Sequence, residues 1–186
     1  DNYSELSISP QVEYPPAILN DDVVFSTTNG GLYSLDCESG TLNWEKNIDY
    51  SVRTAPCVVD KCLLLPTSSY LYKIDASGSV CWTLNFDSLS GVAIGDNQIF
   101  VTERTGKFDP DRIHMIDKGD LGTIWTNQRT YQDLPRSDNS HSRFTSHPVY
   151  NNNVLYVGGR EISAIDSETG NVLWKSSSNN SRLFPT

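Results

Sequence analysis

Short apolar runs, cut by clusters of Asn, Asp, Ser and Gly, follow one another from end to end of this chain. Pro16-Ala17-Ile18-Leu19 meets Asn20-Asp21-Asp22, and Val23-Val24-Phe25-Ser26 then runs to Asn29-Gly30-Gly31. Leu32 to Leu35 is the next run, Glu38-Ser39-Gly40 the next break, and Thr41 to Lys46 carries Trp44. Near the other end Pro148-Val149-Tyr150, Val154-Leu155-Tyr156-Val157 and Ile162 to Ile165 are spaced in the same way, and Ser167-Glu168-Thr169-Gly170 leads to Trp174. Runs of this length, bounded by residues that turn the backbone cheaply, predict short strands joined as hairpins.

The pattern repeats. A strand ending in Asp, a small-residue turn and a Trp occur as Leu32–Asp36 to Trp44, Leu71–Asp75 to Trp82, Ile113–Asp117 to Trp125 and Ile162–Asp166 to Trp174. All four tryptophans are used, at intervals of 38, 43 and 49 residues. A period near forty with four strand signals per unit predicts an all-β chain, a β-propeller of four-stranded antiparallel blades. The blades fall at about 16–50, 51–87, 88–130 and 144–178, after a leader at 1–15 that either closes a sheet or belongs to a preceding element. The second unit is one residue shorter before Trp82. The third carries an insertion, 104–112, and its last turn has the glycine displaced to Gly122.

A four-stranded sheet cannot bury either face alone, so each blade must stack on its neighbours. A Trp on the outer strand fills the wedge between twisted sheets, and its indole N–H needs an acceptor such as a carbonyl of the next blade. An Asp before a turn accepts backbone N–H bonds and locks the connection. Trp44, Trp82, Trp125 and Trp174 are therefore expected to be structural, and loss of Trp174 to unfold the chain or lower its melting temperature sharply.

Composition narrows the partners. Asp and Glu number 23 against 14 Lys and Arg, a net charge of −9. That balance argues against nucleic acid, whose binding rests on clustered cations. No apolar run is long enough to span a bilayer as a helix; the densest, Cys62 to Leu65, stops at Pro66. The chain opens on Asp1 without a signal-like segment, as a processed or trimmed chain would. Cys37, Cys57, Cys62 and Cys81 lie in the first half without Cys-x-x-Cys spacing, and His114, His141 and His147 lie far from them, so a zinc site is not expected. The cysteines allow three disulfide pairings, and a two-residue turn at Asp60-Lys61 sets Val59 opposite Cys62 with Cys57 a diagonal step away. Asn2-Tyr3-Ser4 and Asn179-Asn180-Ser181 are glycosylation sequons. Together these features tilt the reading toward an extracytoplasmic protein.

Leu32 through Trp44, and equally Ile162 through Trp174, resembles the repeat of the quinoprotein-like (PQQ-like) β-propellers, over about Pro16 to Lys175. The resemblance implies the fold and leaves activity open, since the family includes quinone-dependent alcohol dehydrogenases, a scaffold of outer-membrane protein assembly and lumenal sensor domains. The dehydrogenases use adjacent cysteines over the cofactor and calcium beside a catalytic Asp. This chain has no adjacent cysteine pair, and Asp109 with Asp111 falls short of the oxygens calcium takes. No cofactor, metal or catalytic residue is therefore assigned.

Two long loops flank the third unit, 104–112 and 127–147, and in propellers of this type they share one face. They hold Arg104, Arg112, Arg129, Arg136 and Arg143, five of the eight arginines of an acidic chain. Arg53 and Arg182 each stand three residues before a blade-opening proline. Pointing into a central channel, such arginines would grip carboxylate or phosphate; paired with Asp at the rim they would contribute little. Arg182 to Thr186 repeats the opening of a new unit, so the chain reads as part of a larger ring or assembly; a closed four-bladed ring and a two-chain ring are the alternatives. The expectation is a non-catalytic protein-binding or assembly module, working through a protein partner or self-association. A fragment of a quinone-dependent oxidoreductase and a subunit of a surface layer or filament are the other readings.

Overall fold

The computed structural model describes residues 11–104, 111–128, 147–158 and 162–176. Among them every element is a strand, and sixteen strands form four antiparallel meanders. The first sheet comprises β1 (Ala17–Leu19), β2 (Asp22–Ser26), β3 (Gly31–Asp36) and β4 (Leu42–Asn47). β5 (Cys57–Val59), β6 (Cys62–Pro66), β7 (Tyr70–Ile74) and β8 (Val80–Asn85) form the second. The third has β9 (Leu89–Ile94), β10 (Gln98–Glu103), β11 (Arg112–Asp117) and β12 (Thr123–Gln128). The fourth has β13 (Val149–Asn151), β14 (Val154–Gly158), β15 (Ile162–Asp166) and β16 (Val172–Lys175). In each sheet the strands lie side by side in chain order, as hairpin connections require.

The first two sheets lie in one compact unit, residues 1–85, and the last two in a second, 86–186. In the first unit Leu19, Val24, Leu32, Ile48, Val52, Leu63, Leu65 and Ile74 form the core, with Trp44 and Tyr72 packed against it. In the second, Phe100, Ile113, Met115, Leu155, Val157 and Ile165 do so, flanked by Trp125 and Tyr150. Second and third strands supply most of this, with Leu19, Ile48 and Val52 added from β1 and the segment after β4, while the outermost strands alternate or lie open. A blade thus buries its middle and leaves its last strand for a neighbour.

The turns explain the spacing. Asp60 and Lys61 both adopt positive φ, 49° and 58°, and so do Asn152 and Asn153, 48° and 61°: these are two-residue turns that match strand twist. Val59 accordingly pairs with Cys62 and Cys57 with Leu64. Between third and fourth strands the left-handed position falls to Gly40, Gly78 and Gly170, where glycine takes positive φ at least cost. In the third sheet the displaced glycine leaves that position to Leu121, held at φ 62°. Every fourth strand then begins with a bulge: the register slips between Ser34 and Leu35, Lys73 and Ile74, Met115 and Ile116, and Ala164 and Ile165. The residue left over, Asn43, Cys81, Ile124 or Leu173, is re-aimed relative to simple alternation.

Candidate binding surface

Each strand-ending Asp closes its turn by itself. Asp36 Oδ1 accepts the N–H groups of Glu38 and Ser39, at 3.1 and 2.7 Å, and the Ser39 hydroxyl at 2.7 Å. Asp75 Oδ1 accepts Ser77 N, Ser79 N and the Ser77 hydroxyl. Asp166 Oδ1 does the same with Glu168 N, Thr169 N and the Thr169 hydroxyl. Hydrogen bonds to the ionised form hold all three carboxyls below their ordinary range, the Ser39, Ser77 and Thr169 bonds contributing most. Asp117 accepts Gly119 N and Asp120 N.

That turn is also a receptor. Within the first unit, Trp44 Nε1 donates to the Ala76 carbonyl at 2.9 Å, in the turn after Asp75. The Trp44 indole lies flat on Gly78, where an added Cβ would come within 3.0 Å of the ring. Lys46 Nζ donates to the Gly78 carbonyl. The second unit repeats the joint: Trp125 Nε1 donates to the Ser167 carbonyl at 3.0 Å, and the indole lies on Gly170, 2.8 Å from where a Cβ would stand. Outer-strand Trp and next-blade turn are thus two halves of one joint, stated here for Trp44 and Trp125. Trp82 is half-buried on β8.

Trp174 stands in different surroundings among the described residues. It is 49% exposed on β16, beside Val172 and Leu173, also about half exposed, and its ring contact is with Tyr156 of its own sheet, centroids 6.1 Å apart. It wedges nothing within the described residues. All four β16 residues are exposed, three of them apolar, and among the described residues the strand pairs with β15 alone. Gly40, which occupies the place of Gly78 and Gly170, has open space around its absent Cβ.

Three of the seven singled-out arginines lie among the described residues. Arg129, Arg136, Arg143 and Arg182 lie outside the described residues, as do Asn2 and Asn179. Arg53 is exposed, its backbone N–H bonded to the Pro66 carbonyl at 3.2 Å. Arg104 follows β10 directly and is half-buried, with its N–H on the Ser88 carbonyl at 2.6 Å. Arg112 is not a loop residue: it opens β11 opposite Glu103 and Gln128, because the sheet extends to both ends of the insertion.

Sequence reading missed Glu103. Its side chain is 5% exposed and is held from three directions. Asp87 N donates to Oε1 at 2.6 Å, His114 Nε2 lies 2.9 Å from Oε2, and Arg112 Nη1 stands 3.7 Å from the same oxygen. His114 Nδ1 is 3.0 Å from the Thr126 hydroxyl across the β11–β12 pair, and the Phe86 ring packs beside the imidazole. With Nε2–H donating to the carboxylate, Nδ1 accepts the Thr126 hydroxyl hydrogen. The cluster anchors the base of the insertion. Its only sequence signal is a Glu and a His on facing strands, which cannot be seen before register is known.

No two cysteines are adjacent in sequence, all four are free thiols, and Asp111 is buried at 5% exposure while Asp109 lies outside the described residues. Among the described residues no three His, Cys, Asp or Glu side chains cluster as a cation site.

Comparison with known proteins supplies the class. The chain is 17% identical to BamB from Moraxella catarrhalis, with a TM-score of 0.69 over 88% of this chain and 52% of that one. It is 14% identical to quinohemoprotein alcohol dehydrogenase ADHIIG from Pseudomonas putida HK5, TM-score 0.74 over 92% of this chain and 34% of that one. It is also 14% identical to the Pan2 WD40 domain from Neurospora crassa, TM-score 0.65 over 87% and 48%. At these identities the likeness is one of fold: the four meanders are β-propeller blades of the PQQ-like class. The chain belongs to the family described as outer membrane protein assembly factor BamB, whose profile matches residues 67–183. It spans about half the length of the BamB chain it resembles. No curated protein matches its sequence.

Proposed function

We propose that this chain is a non-catalytic, extracytoplasmic part of a β-propeller that serves as a protein-binding or assembly module. The observation that carries this reading is β16: a strand that among the described residues pairs with β15 alone and carries three half-exposed apolar residues, Val172, Leu173 and Trp174. Such an edge takes an extended segment by β-addition, backbone supplying affinity and alternate side chains supplying fit. Membership of a family described as an outer-membrane assembly factor supports a protein partner, and an extracytoplasmic site agrees with the same membership. Arg53, Arg104 and Arg112, with Arg129, Arg136, Arg143 and Arg182, form the second element of the reading as contacts to acidic groups of the partner.

The test uses the whole chain on a sensor surface and an outer-membrane β-barrel polypeptide diluted from urea. Saturable binding is expected, weakened about tenfold by Leu173→Asp, which equals about 1.4 kcal/mol. No binding by the parent, together with alcohol-dependent dye reduction on adding PQQ and calcium, would replace this reading with the oxidoreductase one.

A further inference from the structure

Among the described residues two joints between a Trp and a turn are complete, while one matching turn and one matching Trp face outward. In a complete joint the indole N–H donates to the carbonyl of the residue after the turn Asp, and the ring lies on the turn glycine: Trp44 on Ala76 and Gly78, Trp125 on Ser167 and Gly170. The β3–β4 turn, Asp36 to Gly40, has the same length as the turn that receives Trp125, Asp166 to Gly170, and matches it bond for bond. Asp36 Oδ1 accepts Glu38 N–H at 3.1 Å and Ser39 N–H at 2.7 Å, where Asp166 Oδ1 accepts Glu168 N–H at 3.1 Å and Thr169 N–H at 2.8 Å. The Gly40 and Gly170 N–H groups each donate to the carbonyl of the turn Asp at 2.9 Å, with φ 69° and 74°. Over Gly40 the surface is open, no described atom lying within 4 Å of where a Cβ would stand. Trp174 pairs with Ala164 in the register that sets Trp44 opposite Ser34 and Trp125 opposite Met115. It is nevertheless 49% exposed, with its ring against Tyr156 of its own sheet.

We propose that Trp174 of one copy docks on the Asp36–Gly40 turn of a second copy, so that the chain associates head to tail. Trp174 Nε1 then donates to the Cys37 carbonyl, because Cys37 follows Asp36 as Ala76 follows Asp75 and Ser167 follows Asp166. The indole lies on Gly40, where only a residue without a Cβ lets the ring approach. The complete joints specify the occupant: such a turn takes an indole from the outer strand of this repeat, and Trp174 is the half-exposed indole of that kind. Docking buries an amphipathic ring and satisfies its one donor, the combination that makes Trp a frequent interface anchor. Trp and turn are different patches, so the contact is heterologous: copies joined twice close a ring, and copies joined once extend a chain. Trp44 and Trp125 reach their turns through the side chain, while β4 and β12 pair only with β3 and β11 among the described residues. Docking therefore leaves the outer backbone of β16 clear, and the proposal is independent of the β-addition reading.

The experiment follows sedimentation velocity of the whole chain over a concentration series, with two variants that break opposite halves of the joint. Trp174→Ala removes the indole from an exposed position. Gly40→Asn places a side chain where the ring would lie, using a residue that tolerates left-handed backbone. The parent is expected to pass from a single copy to two or more as concentration rises. Each variant alone stays single over the same series, its association weakened at least about 30-fold by loss of a Trp anchor. Mixed in equal amounts the variants complement one another: Trp174 of the Gly40→Asn chain meets the open turn of the Trp174→Ala chain, and a two-copy species returns. Binding of the urea-diluted β-barrel polypeptide to Gly40→Asn is measured separately, so the two readings fail independently. A parent that is single at every concentration, association that survives either substitution, or a mixture no larger than its components would each overturn the proposal.

Discussion

Replacing Trp44 and Trp174 by Ala in parallel separates a filled joint from an unfilled one. Trp44 packs on the core of the first unit, lies on Gly78 and donates to Ala76 O at 2.9 Å. Burying and then deleting a large aromatic side chain costs about 3–5 kcal/mol. Trp44 is only partly buried, so the packing part is near the low end, and the lost hydrogen bond adds about 1 kcal/mol. The total expected is about 4 kcal/mol, a large share of a domain's margin. Trp174, at 49% exposure and with Tyr156 of its own sheet as its ring contact among the described residues, should cost about 1 kcal/mol or less. Urea unfolding followed by far-ultraviolet circular dichroism reads both, because the strands report the transition independently of the deleted indole. Trp44→Phe sharpens the test: it keeps most of the packing and loses the donor, so about 1 kcal/mol should go. Equal losses in Trp44→Ala and Trp174→Ala would refute the joint as the source of stability.

The turns make further predictions. Gly40→Ala and Gly170→Ala both force a side chain into left-handed backbone, about 1–2 kcal/mol, but only at Gly170 would the new Cβ strike the Trp125 ring. Gly170→Ala should therefore be the worse by about 1–3 kcal/mol; equal denaturation midpoints would contradict the contact. Leu121→Gly should stabilise by about 1 kcal/mol, because leucine now holds φ 62° where its counterparts are glycine; a lower melting temperature would show that the side chain matters more than the strain. The lowered carboxyls of Asp36, Asp75 and Asp166 favour the folded state above the unfolded value of 3.8. That stability is lost as pH falls below 3.8 through the folded values, so the urea midpoint should drop there, and less steeply in Asp166→Asn. Burial pushes the Cys57 thiol up to about 11, leaving about one molecule in a thousand as thiolate at pH 8. Iodoacetamide should label Cys57 last in the native chain and at the common rate in urea.

Much of the fold was legible because it is local. Two-residue turns, a fixed Asp-to-Trp spacing and short apolar runs specify hairpins without long-range information, and the four meanders follow. The bulge was not legible. It adds a residue to the outer strand without any distinctive residue type, yet it changes the facing of Asn43, Cys81, Ile124 and Leu173 relative to simple alternation. The Glu103 cluster was hidden for the same reason, since Glu103, Arg112, His114 and Thr126 meet only once three strands are in register. The insertion was overdrawn at one end, because Arg112 reads as part of a polar loop until Glu103 stands opposite. Trp174 shows the limit of the repeat itself: identical phrases need identical neighbours to act alike, and its neighbour is not among the described residues.

The central claim is that β16 is the surface through which this chain binds protein. Hydrogen–deuterium exchange on the chain, alone and with the urea-diluted β-barrel polypeptide, tests it directly. The account predicts rapid exchange over residues 172–175 alone and new protection there in the presence of the polypeptide, with the slow amides of β2, β6, β10 and β14 unchanged. Protection confined to other strands, with β16 exchanging as fast as before, would contradict it.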